Sequence, residues 1–218
     1  MKTIRFLLVL VILFSNCYIL IGCNNNDNKL YTTQNRVDAV IELSIFTSNG
    51  KKESKNILRN YGHSFLSFKN ISQNSLKVGE YTLEKDETIS LGTWSVSSHF
   101  GVWYNLESNY INTYDKYNDR VSVTTQINLE ELKLVNDFIL NHDYWNPYCN
   151  CSYFSINLWN TIAKDTEYID TSLFYNPSYL YKKLISFSSY ETNKAINGKD
   201  TFGYYSDTFL IHSFKENF

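Results

Sequence analysis

The chain has 218 residues, with 20 Lys and Arg against 22 Asp and Glu. No basic cluster interleaved with aromatics occurs, so the electrostatic footprint of a nucleic-acid binder is missing and no such partner is expected. Eight Gly and two Pro argue against a linker-rich or low-complexity chain, and 17% aromatic residues supply material for a core.

The elements begin with an export signal. Lys2 and Arg5 form a short basic region, and an apolar run follows over 6–14 and resumes over 18–21. Leu20-Ile21-Gly22-Cys23 then resembles the bacterial lipobox, in which a small residue precedes a cysteine whose thiol takes a diacylglycerol group. The resemblance implies a signal peptide over 1–22 and lipidation at Cys23. Removal of Lys2 and Arg5 changes the formal charge from −2 to −4. Residues 23–36 open with Asn24-Asn25-Asn26-Asp27-Asn28, polar and aperiodic, and read as a tether. The competing reading is an uncleaved anchor, because 6–22 approaches the lower limit of roughly 17–25 residues for a spanning helix. Either way the remainder lies outside the cytoplasm, in the cell envelope. The membrane is then the expected partner, reached through a lipid anchor that two acyl chains make stable.

Residues 37–218 read as a single α+β domain, expected to be a monomer. The segment 37–47 alternates apolar and polar residues from Val40, a strand signature. Residues 48–60 are polar and basic and read as a loop with a helical turn. Further strands are expected over 61–71, 76–83, 88–95, 101–105 and 120–127, an antiparallel meander. The pattern then changes to helix. Asn128 is a good N-cap with Glu131 three residues on, and Leu132, Val135, Phe138 and Ile139 share a face. A second helix is expected over 151–164, with Phe154, Leu158 and Ile162 on one stripe. Asn176-Pro177 opens a third, over 177–186. The tail from 189 carries no pattern that places it. Strands followed by packed helices define an α+β class.

Without Cys17 and Cys23, only Cys149 and Cys151 remain, too close to bridge readily. Cys151 opens the second helix, where backbone N–H groups and the macrodipole favour a thiolate. The plain alternative is a small buried apolar residue. A nucleophilic cysteine needs a base, and four histidines are available. His63 lies at a strand start, a rigid place from which to aim a ring, and Gly62 beside it allows close approach of backbone or substrate. His99 falls in a loop, His142 ends the first helix, where an imidazolium suits the dipole, and His212 lies in the tail. Cys149 and Cys151 with His142 or His63 would be enough ligands for zinc, but the C-x-C spacing alone is a weak metal signature and no metal is assigned.

Gly62-His63-Ser64-Phe65, followed far downstream by Asn150-Cys151-Ser152-Tyr153-Phe154, resembles the circularly permuted branch of the NlpC-type papain-like fold, which includes the lecithin retinol acyltransferase-like proteins. Asn176-Pro177 resembles the proline-led helix that follows the cysteine helix there. The resemblance spans about residues 40–185. It implies a permuted papain-like fold with Cys151 as nucleophile, His63 as base and no cofactor. A third polar residue that orients the histidine is implied too. Glu80, Asn105 and Glu107 are candidates, but each reads as an exposed or loop residue and none is assigned. The expected activity is that of an extracytoplasmic thiol hydrolase, an amidase or peptidase acting on cell-wall peptide, or an acyltransferase using another amide or ester. The alternative is a non-catalytic binding lipoprotein on the same scaffold.

Overall fold

The computed structural model describes residues 37–50, 62–170, 175–199, 201–206 and 208–212. The signal, Cys23, the tether up to residue 36 and most of the 48–60 loop lie outside them. Among the described residues no helix is long and apolar enough to cross a membrane.

Strand alternation builds the centre of the molecule. In β1 (Ile41–Ser48), Ile41, Leu43 and Ile45 enter one apolar cluster and Phe46 enters another on the opposite face. Such a strand is covered on both sides. β2 (His63–Asn70) pairs antiparallel with it, Ser48 opposite His63, and β7 (Val121–Ile127) pairs on its other side. β5 (Thr88–Val96) and β6 (His99–Tyr104) extend the sheet beyond β2. The tail supplies three more strands, β8 (Glu191–Thr192), β9 (Phe202–Ser206) and β10 (Thr208–His212). The resulting order is β10-β9-β6-β5-β2-β1-β7-β8, antiparallel throughout. With four helices among the described residues this is an α+β protein, as expected, although strands return after the last of them.

Two segments differ from the sequence reading. Residues 76–83 are not one strand. They form a hairpin, β3 (Leu76–Val78) and β4 (Tyr81–Leu83), in a separate two-stranded sheet. Gly79 turns the chain at φ +56°, a conformation glycine adopts without strain. The second difference is an extra helix, α1 (Leu106–Tyr114), between β6 and β7. Its consecutive residues Leu106, Glu107 and Ser108 are all buried, so burial there is not confined to one helical face.

The other helices follow local signals. α2 (Leu129–Asn141) starts with the full capping box of Asn128 and Glu131. α3 (Cys151–Asn160) is shorter than expected, because the Asn160 side chain bonds the backbone of Ile169 in both directions, at 2.8 and 3.0 Å. α4 (Pro177–Leu184) starts on Asn176 with proline in its first turn. α2, α3 and α4 supply the main core, with Leu132, Val135, Phe154, Leu158, Leu180 and Leu184 among its buried members. Phe65 on β2 joins Phe46 and Ile196 in a smaller cluster, with Ile111 of α1 packed against it. Leu158 is fully buried in the helix that carries Cys151. Leu158→Ala is expected to cost about 2–5 kcal/mol of stability, read by denaturant unfolding.

Candidate active site

The N-C-x-x-F stretch has a local physical explanation. Asn150 caps α3, its side-chain oxygen accepting the amides of Ser152 (3.0 Å) and Tyr153 (3.2 Å). Its amide group donates to the Tyr175 carbonyl at 2.9 Å and so ties this helix start to the approach to α4. Cys151 is then the first helical residue, half-buried, with its own amide outside the cap. Phe154, one turn on, is buried against Phe138 of α2, ring centroids 5.6 Å apart. The cap, the thiol and the anchor are each fixed by a different residue of the motif.

Gly62-His63-Ser64-Phe65 works in the same way. A side chain at Gly62 would strike the Ser48 carbonyl and the Pro177 ring, so its smallness serves the approach of β1 and α4. His63 and Phe65 point to one face of the sheet and Ser64 to the other, where Ser64 Oγ meets Ser152 Oγ at 2.9 Å. Phe65 stacks on Phe46 at 4.9 Å.

The structure brings Cys151 and His63 close enough for each to shift the other's titration. The ring also faces Glu107, His63 Nε2 lying 2.9 Å from Glu107 Oε1. The imidazole therefore interacts with both thiol and carboxylate, with Nδ1 not taken up by Glu107. Glu107 is fully buried, not an exposed or loop residue as its sequence context suggested. Trp94 Nε1 donates to Oε1 at 2.6 Å and Ser90 Oγ to Oε2 at 3.1 Å, so the buried charge is satisfied on both oxygens. A methyl group at Gly92 would overlap Oε1, so glycine in mid-strand makes the room. Asn105, at φ 61°, turns the chain out of β6 into α1 and delivers Glu107 beneath the sheet. That conformation is one that asparagine tolerates better than most residues.

Burial works against charge on either reacting group. At His63 it is outweighed by the Cys151 thiolate, through charge and hydrogen bond, and by Glu107, and the pKa is pushed up to about 9. At Cys151 burial pushes the thiol up, but the imidazolium, the Ser64 amide and the Ser152 hydroxyl together bring it below its ordinary value. The two shifts run in the directions that favour a thiolate–imidazolium pair over the neutral pair. Trp94 lies against the imidazole, centroids 4.1 Å apart, and Tyr117 sits 5.7 Å away. Arg120 holds the Tyr117 loop, giving hydrogen bonds to the carbonyls of Tyr117, Asn193 and Lys194 at 2.8–3.2 Å.

The remaining candidates are engaged elsewhere. His99 pairs with Asp143 at 2.8 Å and starts β6, where the sequence suggested a loop. His142 sits at the α2 C-cap, its Nδ1 2.8 Å from the Phe138 carbonyl. His212 ends β10. Glu80 lies at the hairpin turn and lines a separate cleft of about 370 Å³ with Asp143 and Tyr205. Asn105 bonds the backbone of Ser90 and Thr201. Cys149 approaches Tyr144 and Tyr153. Among the described residues no group of three His, Cys, Asp or Glu is placed to hold a metal.

Comparison with family models, curated proteins and solved structures finds no match to this chain.

Because the thiolate is the strongest influence raising the His63 pKa, Cys151→Ala should lower it well below 9. NMR titration of the imidazole checks this, and a value that stays near 9 contradicts the charge pair.

Proposed function

We propose that this protein is a cysteine hydrolase of permuted papain-like fold, an amidase or peptidase held outside the cytoplasm by lipid on Cys23. The observation that carries this reading is the grouping of half-buried Cys151 with buried His63 and Glu107, with the base early in the chain and the nucleophile at a later helix start. Exported amidases and peptidases of the NlpC type act on cell-wall peptide, which makes a peptide amide of that kind the first substrate to test.

The chemistry follows from the geometry. The Cys151 thiolate attacks an amide or ester carbonyl carbon, and the carbonyl oxygen takes up negative charge. The Cys151 amide and the positive end of α3 stabilise that oxyanion. The His63 imidazolium gives its proton to the leaving nitrogen or oxygen as the tetrahedral intermediate collapses to a thioester. Neutral His63 then takes a proton from water, which attacks the thioester and frees the thiolate and the acid. An acceptor other than water at this step makes the same site an acyltransferase. Glu107 holds the ring in the orientation and tautomer that both proton transfers need.

The test uses a soluble form beginning after Cys23, with Cys149→Ser to isolate the signal. Alkylation of Cys151 by iodoacetamide should already be fast near pH 6 and slow markedly in His63→Ala. Labelling that instead follows an ordinary thiol pKa of about 8.5 would shift the reading to a non-catalytic binding lipoprotein. Turnover should be bell-shaped in pH. It rises as Cys151 loses its proton, below the usual thiol range, and falls as His63 loses its own near 9. Cys151→Ala should abolish turnover with the fold retained, and His63→Ala should slow it by about 10²–10⁴-fold.

A further inference from the structure

Behind Cys151, on the sheet face covered by α3 and α4, lies a row of buried hydroxyls with no part in the steps above. Thr47 Oγ1 is 3.2 Å from the Pro177 carbonyl oxygen and 3.1 Å from Ser64 Oγ. Ser64 Oγ is 2.9 Å from Ser152 Oγ, and the Ser152 hydroxyl, on the residue next to Cys151, favours the charged form of its thiol. All three hydroxyl residues are excluded from solvent. They come from β1, β2 and α3, so the row is assembled by the packing of the helix on the sheet.

The two ends of this row are the informative feature. The Pro177 carbonyl can only accept, and so can a thiolate. Between them are four links, Pro177 to Thr47, Thr47 to Ser64, Ser64 to Ser152 and Ser152 to Cys151, but only three hydroxyl protons to fill them. One link is always empty, and the charge on sulfur decides which. With a thiolate, each hydroxyl turns toward Cys151 and the empty link falls at Pro177, where Thr47 also has the His63 carbonyl at 3.4 Å. With an uncharged sulfur, as in the thioester, the row reverses. Thr47 then donates to Pro177 and the empty link falls at Cys151. No covalent bond changes, since only O–H directions turn.

We propose that Thr47, Ser64 and Ser152 form a reversible hydroxyl relay that stabilises the Cys151 thiolate and releases its hold when the sulfur is acylated. This rests on Cys151 being the nucleophile of the preceding reading and adds three positioning residues to it. Hydrogen bonds to a charged acceptor are stronger than neutral ones and polarise one another along a chain, so the relay favours the charged sulfur over the thioester. The Ser64 backbone amide also reaches the sulfur, and loss of the Ser64 hydroxyl leaves it in place. The ionisable groups facing the sulfur are His63 from β2 and Tyr117 from the loop after α1, with Glu107 acting through His63. None of them is altered by the substitutions below.

The experiment is the pH profile of Cys151 alkylation in Ser152→Ala, Ser64→Ala, Thr47→Val and Thr47→Ser, each carrying Cys149→Ser, with thermal unfolding run in parallel. Ser152→Ala should alkylate about tenfold more slowly near pH 6, the worth of a hydrogen bond to a charged group, and its profile should move to higher pH. Ser64→Ala should shift the same way by a smaller amount, and Thr47→Val by less again, with Thr47→Ser restoring the parent profile. Ser155→Ala is the comparison. It removes a buried hydroxyl from the same helix that makes no hydrogen bond among the described residues, and should leave the profile unchanged. If Ser152→Ala does not fold, Ser64→Ala decides. An activated parent with unshifted Ser152→Ala and Ser64→Ala profiles overturns the relay alone. A parent that titrates as an ordinary thiol overturns the nucleophile and the relay with it.

Discussion

A fully buried carboxylate sets the terms for the site. Glu107 has lost its contact with water, and a charge in that position persists only if donors surround it. Trp94, Ser90 and His63 supply them from three points on β2 and β5. Gly92 exists as a gap so that the carboxylate fits, and the left-handed turn at Asn105 brings it there. Much of the sheet's second face can be traced to housing this one group, including the ring of Trp94 laid against His63. The imidazole is thereby held by its Nε2 edge, and its remaining nitrogen has a single direction in which to meet the thiol.

The opposite face answers a different need. There the helices bring polar backbone ends and small hydroxyls close to the sheet, so that Cys151 sits on the start of α3 against the start of β2. Ser64 and His63 are neighbours in sequence but face opposite sides of the strand. The Cys151 sulfur is therefore influenced from both sides, by the imidazole and by the Ser152 hydroxyl. A strand end is where this can happen, because a side chain there reaches around the sheet's rim.

What the sequence disclosed was what local chemistry specifies. Asn128 before Glu131 and Asn176 before Pro177 are capping signals whose partners lie within three residues, and both begin the helices they announce. The β1 alternation was equally local. His63 and Cys151 were legible because each sits in a short motif at the start of an element. Glu107 was not, because its donors lie 13 to 44 residues away and its helix buries a charged residue among three consecutive buried ones. One signal was present: a glycine inside the strand 88–96, at position 92, marks a close approach by something. The 76–83 segment was misread because Gly79 lies at its centre, and a positive-φ turn does not show in apolar alternation. Of the tail strands, β9 carries mostly aromatic residues and is only partly buried, which leaves little period to read.

The order of the site along the chain has a consequence for synthesis. A chain that emerges N-terminus first presents His63, then Glu107, and only later Cys151. A chain that stops before Asn150 therefore carries the imidazole and the carboxylate but not the thiol, the strongest influence raising the His63 pKa. Under the reading proposed above, such a chain has no nucleophile, and Cys151 is the last of the three groups to be delivered.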